Sequence, residues 1–139
     1  MLKKFTIQEL SIGKTSSITK RFTEQDVLMF AKVSGDFNPA HVDEDYAKTS
    51  LFKTRIVHGM LVGALFSAIL GTDLPGLGSI YTFQSLKFVK PVYFNEQITA
   101  TVTVKELLFD KNRVIFDCVA KNEQGDVVII GEATIMPPN

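Results

Sequence analysis

The sequence predicts an α+β fold in which a twisted antiparallel sheet of about five strands wraps around one central apolar helix. Three observations point there. Helical signals fill the chain from about residue 23 to 72, and strand signals fill it from about 79 to 136, a segregation foreign to alternating α/β folds. The run from Gly59 to Leu70 has no charged residue on any side, so that helix must be enclosed by the rest of the fold. With 139 residues and 15.4 kDa, the chain has room for one core, and residues 1–139 read as a single domain.

Thr23, with Asp26 three residues on, forms an N-cap pattern close to a capping box, and Val27, Phe30, Ala31 and Val33 then recur at helical spacing. A first helix is therefore predicted over 24–34, with Gly35 ending it. Asp36-Phe-Asn-Pro-Ala-His opens a loop, because Asn38 precedes a proline and is pushed away from helical torsions. Asp43-Glu-Asp-Tyr-Ala-Lys predicts a short helical turn, its acids first and Lys48 last, as the helix dipole favours. In the apolar helix over 59–70, Gly59, Gly63 and Ser67 recur at four-residue steps and share a narrow face of small side chains, which predicts a groove.

Four segments rich in β-branched and aromatic residues begin at Ile80, Gln97, Arg113 and Asp126. Turn formers at Pro91, Asn95-Glu96, Asp110-Lys-Asn112 and Asn122-Glu-Gln-Gly125 separate them, predicting four antiparallel strands in sequence. A fifth comes from Ser16-Ser-Ile-Thr-Lys-Arg-Phe. Gly76-Leu-Gly78 is too short for a phosphate loop and marks the approach to a strand. A sheet of this kind around one apolar helix is a hot-dog fold.

Composition narrows the function. Fifteen basic residues balance 15 acidic ones, so no global field favours nucleic acid or an anionic membrane. The start shows no export signal, since Glu9 falls where an apolar core would lie, and the cytoplasm is the expected location. Cys118, without a partner and inside an apolar run, is expected to be a buried thiol.

Two segments could carry chemistry. Ser34-Gly-Asp-Phe-Asn-Pro-Ala-His places a carboxylate, Asp36, and an imidazole, His41, in one tight loop. Either Asp36 only caps a turn against which His41 packs, or both side chains address one point. Ile56-Val-His-Gly-Met leads into the apolar helix, so the N–H groups around Gly59 sit where partial positive charge gathers and a developing oxyanion could be held. Alternatively, His58 is a cap and Gly59 a packing residue. Metal ligation by His41, His58 and nearby carboxylates is not expected, because neither a His-x-x-x-His helix nor a Cys pair is present. Lys53, Arg55, Lys87 and Lys90 could meet phosphates, but nothing in the sequence assigns them that role.

These segments, with Leu65-Phe-Ser67, Leu74-Pro-Gly-Leu-Gly-Ser-Ile-Tyr and Lys87-Phe-Val-Lys-Pro-Val, resemble the MaoC-like (R)-specific enoyl-CoA hydratases in order over nearly the whole chain. The resemblance implies a hot-dog fold and a homodimer or larger even-numbered assembly, which also suits a sheet with an exposed edge. It further implies that Asp36 and His41 are the catalytic pair, that Gly59 offers its N–H to the thioester carbonyl, and that Ser67 lies at the active site. The reaction would add water to a trans-2-enoyl-CoA, giving the (R)-3-hydroxyacyl thioester, with no cofactor beyond the coenzyme A of the substrate. Thioester hydrolysis on the same fold, or acyl-thioester binding without catalysis, are the alternatives.

Overall fold

The computed structural model describes residues 2–139. After a 3-10 turn at Ile7–Glu9 come β1 (Thr15–Arg21), α1 (Glu24–Ser34), α2 (Pro39–Val42), α3 (Glu44–Ala47), α4 (Gly59–Thr72), β2 (Ile80–Phe88), β3 (Gln97–Leu108), β4 (Arg113–Lys121) and β5 (Val127–Met136).

The capping box forms as the sequence predicts. The Thr23 N–H donates to Asp26 at 2.9 Å, and the Asp26 N–H donates to the Thr23 hydroxyl at 3.2 Å. Gly35 closes α1 in the left-handed region at φ 82°, where a Cβ would be strained. Its N–H donates to the Ala31 carbonyl, which leaves the chain free to turn sharply into Asp36.

All five strands form one antiparallel sheet in the order β1-β3-β4-β5-β2. The expected succession of neighbours therefore holds from β3 to β5 but not for β2, which crosses to the far edge and pairs with β5. Alternation along β3 and β4 sends Ile98, Ala100, Val102 and Val104, with Val114, Phe116, Cys118 and Ala120, to the buried face. Against that face lies α4, which contributes Val62, Leu65, Phe66, Ile69 and Leu70 to one continuous core. Cys118 is fully buried, as expected, and burial pushes its thiol up to about 11.

The small-residue face of α4 is not an empty groove. A Cβ built on Gly59 would lie 2.6 Å from the Phe88 ring, and one on Gly63 would lie 3.0 Å from Leu86. Two side chains of β2 thus fill the face at its first two steps. Ser67, one step further along, is exposed.

Candidate active site

The local sequence folds the segment after α1 into a series of backbone-directed turns. The Ser34 hydroxyl donates to the Phe30 carbonyl at 2.7 Å and accepts from the Asp36 N–H at 3.1 Å. Asp36 Oδ1 then accepts from the Asn38 N–H at 3.1 Å, forming an Asx turn. Asn38 caps α2 by accepting from the Ala40 N–H at 3.0 Å, with Pro39 at the first helical position, where its missing N–H costs nothing. Because of that cap, the segment written as loop in the sequence becomes a one-turn helix carrying His41. The Ile56 N–H donates to the Ala40 carbonyl at 3.1 Å, tying α2 to the chain that enters α4.

His41 and His58, the two histidines of the sequence, are the buried polar residues among the described residues. His41 Nδ1 lies 2.8 Å from the Ile56 carbonyl oxygen. A carbonyl can only accept, so Nδ1 carries the proton and Nε2 of the neutral ring presents a bare lone pair. Burial holds the His41 imidazole below its ordinary range, and the neighbouring His58 acts in the same direction. The bond to Ile56 and the charge of Asp36 oppose that shift. The two imidazoles stack with centroids 4.0 Å apart, and a ligating atom from each of Asp36, His41 and His58 lies within 4.8 Å of the others.

His58 takes the N-cap position of α4, but its side chain makes no capping bond. Gly59 follows as the first helical residue, and neither its N–H nor that of Met60 reaches a protein acceptor among the described residues. Two adjacent donors at a helix N-terminus are therefore free, where the helix dipole favours negative charge.

A cavity of ≈ 390 Å³ opens here. Asp36, His58 and Gly59 lie on its wall, while Val62, Val92 and Ile129 make it apolar. His41 does not line the cavity itself; it adjoins it through the stack on His58 and its closeness to Asp36. Ser67 is not brought to this cavity.

Backbone carbonyls hold both imidazoles of the cluster in defined tautomers. His41 Nδ1 and His58 Nε2 donate to backbone carbonyls, the latter to Asp36 at 3.0 Å, and the remaining His58 nitrogen is enclosed without a partner.

Of the four basic residues near the site in sequence, Arg55 is fully engaged, with Nη2 2.5 Å from Glu24 and Nε 3.2 Å from Glu44. It fastens α1 to α3 beside the site. Lys90 lines the cavity but is paired with Asp126 at 3.1 Å. Sequence reasoning missed the stacked imidazoles and the Phe88 ring over Gly59. A usable signal existed for the first, since the only two histidines of the chain fall in the two segments that carry chemistry.

A model of the MaoC-like domain matches residues 8–124. The chain belongs to the MaoC-like family. This MaoC-like chain is 50% identical over 131 residues to the (R)-specific enoyl-CoA hydratase of Rhodospirillum rubrum, a match covering 94% of this chain and 90% of that protein. The solved (R)-hydratase of Aeromonas caviae superimposes with a TM-score of 0.92 at 42% identity, covering 94% of this chain and 99% of the other. The R-hydratase PhaJ1 of Pseudomonas aeruginosa gives 0.93 at 43% identity, covering 99% and 88%. The hot-dog fold expected from the sequence is the one found. No helix among the described residues is long and apolar enough to cross a membrane.

Proposed function

We propose that this MaoC-like chain is an (R)-specific enoyl-CoA hydratase, adding water to trans-2-enoyl-CoA to give (R)-3-hydroxyacyl-CoA and running the dehydration in reverse. One observation carries the reading: a carboxylate and two free helix-terminal N–H groups line one apolar cavity, and an imidazole with a bare Nε2 adjoins it beside that carboxylate. The identity to hydratases over most of the chain supports it.

The proposed chemistry uses no cofactor. The thioester carbonyl accepts from the Gly59 N–H, which stabilises the negative charge that gathers on oxygen as the β carbon is attacked. A water held between Asp36 and His41 gives its hydroxyl to the β carbon and one proton to the pair. The pair returns a proton to the α carbon, so the elements of one water are added and the pair ends as it began. Delivery of both from one water places them on the same face. The low basicity of buried His41 keeps it unprotonated, and thus able to accept, at neutral pH. Ser67 is proposed to border the acyl part of the substrate on the resemblance alone. A folded Ser67→Leu protein that loses turnover supports that placement, and one that keeps full turnover removes it.

A homodimer is proposed through the edge of β2, where Ile80, Phe83 and Phe88 are each more than half exposed beside unpaired strand backbone. The cytoplasm is the proposed location, on the argument that a lone buried thiol suits a reducing compartment.

Incubation with crotonyl-CoA tests the reaction. Loss of the enoyl absorbance without release of thiol is expected. Release of free coenzyme A would replace hydration by hydrolysis, and no change in either would leave an acyl-thioester-binding protein. Hydrolysis through a cysteine nucleophile is disfavoured already, because the one thiol is enclosed and protonated at neutral pH.

A further inference from the structure

We propose that His58 is a positioning residue for this reaction, locking the carboxylate loop, the His41 ring and the Gly59 N–H into one register. The proposal rests on the assignment of Asp36 and His41 to the chemistry.

The geometry assigns His58 a role that neither capping nor filling explains. It is 1% exposed, so its polar ring has been taken out of water, where an aliphatic side chain would be cheaper to bury. As an N-cap it makes no side-chain bond to α4. Its one bond runs 22 positions back along the chain, from Nε2–H to the backbone carbonyl of Asp36 at 3.0 Å. That carbonyl can only accept, which fixes the tautomer and leaves Nδ1 enclosed without a partner. A buried polar atom left unsatisfied indicates that something other than stability selected the imidazole.

The ring itself is clamped. The Phe30 ring of α1 meets it edge-on with centroids 4.8 Å apart, and the His41 ring of α2 lies against it at 4.0 Å. Gly59 is the next residue in the chain, so any shift of His58 is transmitted to the free N–H. One side chain therefore fixes Asp36 through its backbone, His41 through its ring and Gly59 through the covalent chain. Hydration needs those three groups placed together around one water and one carbonyl. A displacement of about 1 Å among such groups costs on the order of a hundredfold in rate.

Two polar replacements separate this role from packing. Glutamine can place an amide N–H near the position of Nε2, whereas asparagine is one bond too short. His58→Asn is expected to lower kcat for crotonyl-CoA by about tenfold to a hundredfold with little change in KM, and His58→Gln to recover most of that loss. Equal kcat in the two folded variants, with only their melting temperatures lowered, would overturn the proposal. Should neither fold, 15N NMR of the imidazoles in the unmodified protein decides: an Nε2–H tautomer at His58 is expected, and an Nδ1–H tautomer would overturn the proposal. His41→Ala measured alongside separates the two failures. Full turnover in His41→Ala would refute the catalytic pair, whereas an inactive His41→Ala beside a fully active His58→Asn would refute only the positioning role.

Discussion

Asp36 and His41 face opposite solvation problems. The carboxylate is exposed and held by a turn, while the imidazole is buried and held by a carbonyl. If both act on one water, Asp36→Asn and His41→Ala should each lower kcat at least about a hundredfold, and the double variant should be little worse than either. Steady-state kinetics beside thermal unfolding checks this, because a turn-capping aspartate would instead cost stability of about 1 kcal/mol with turnover intact. The burial of His41 gives a second expectation. Its basicity in the folded protein lies below the ordinary 6.5, so the acid limb of kcat/KM should have its midpoint below that pH. The linked stability follows in sign. The unfolded chain takes up a proton near 6.5 that the folded chain resists, so the stabilisation present above that pH is lost as pH falls below it. Urea titrations at stepped pH, with and without His41→Phe, would show that slope and its removal. The candidate site residues were legible to different depths. Asp36 and Gly59 stood out because a turn sequence and a helix start each have a local signature. The stacking of His41 on His58 depends on α2 and α4 meeting in space, which no local signature records.

Among the elements, α1 and α4 could be read closely, since a capping box and an uncharged apolar run are decided by a few adjacent residues. The one-turn helix α2 was hidden because its only helical marks are the Asn38 cap and Pro39, which equally announce a loop. The partner of β2 was hidden for another reason: alternation tells which side of a strand is buried, not which strand lies beside it. The seam between β2 and β5 has a weak point at Gly131. A Cβ there would stand 1.9 Å from the Ser85 carbonyl oxygen, a backbone atom that cannot move without parting the strands. Gly131→Ala should therefore destabilise the protein by at least about 2 kcal/mol, seen as a lowered urea midpoint. An unchanged midpoint would mean that the seam yields more easily than its geometry implies.

For the whole molecule, the fold class was legible because helical and strand signals fall in separate halves, and enclosing an uncharged helix leaves a wrapped sheet as the economical solution. What remained invisible was which edge stays open, and that matters for assembly. β2 carries its exposed apolar residues on a free edge nine residues long, while β1 at the other edge is short and dressed with Thr and Ser hydroxyls. Sedimentation should give about twice 15.4 kDa or a higher even multiple, and Phe83→Lys should shift the population towards 15.4 kDa. A wild-type monomer at micromolar concentration would end the edge-pairing reading.

The crossing of β2 also sets an order in time. Strands β3, β4 and β5 are joined by short turns and can zip up early, but Phe88 must wait for Ile129, roughly forty residues away, to come to it. The ring that lies over Gly59 is thus delivered by a pairing that follows the two hairpins, and only β1 on β3 spans a longer stretch of chain. A refolding chain should regain the strand signal of its hairpins before the wall of its cavity closes, and catalytic competence should lag behind secondary structure by the time the edge strands take to dock.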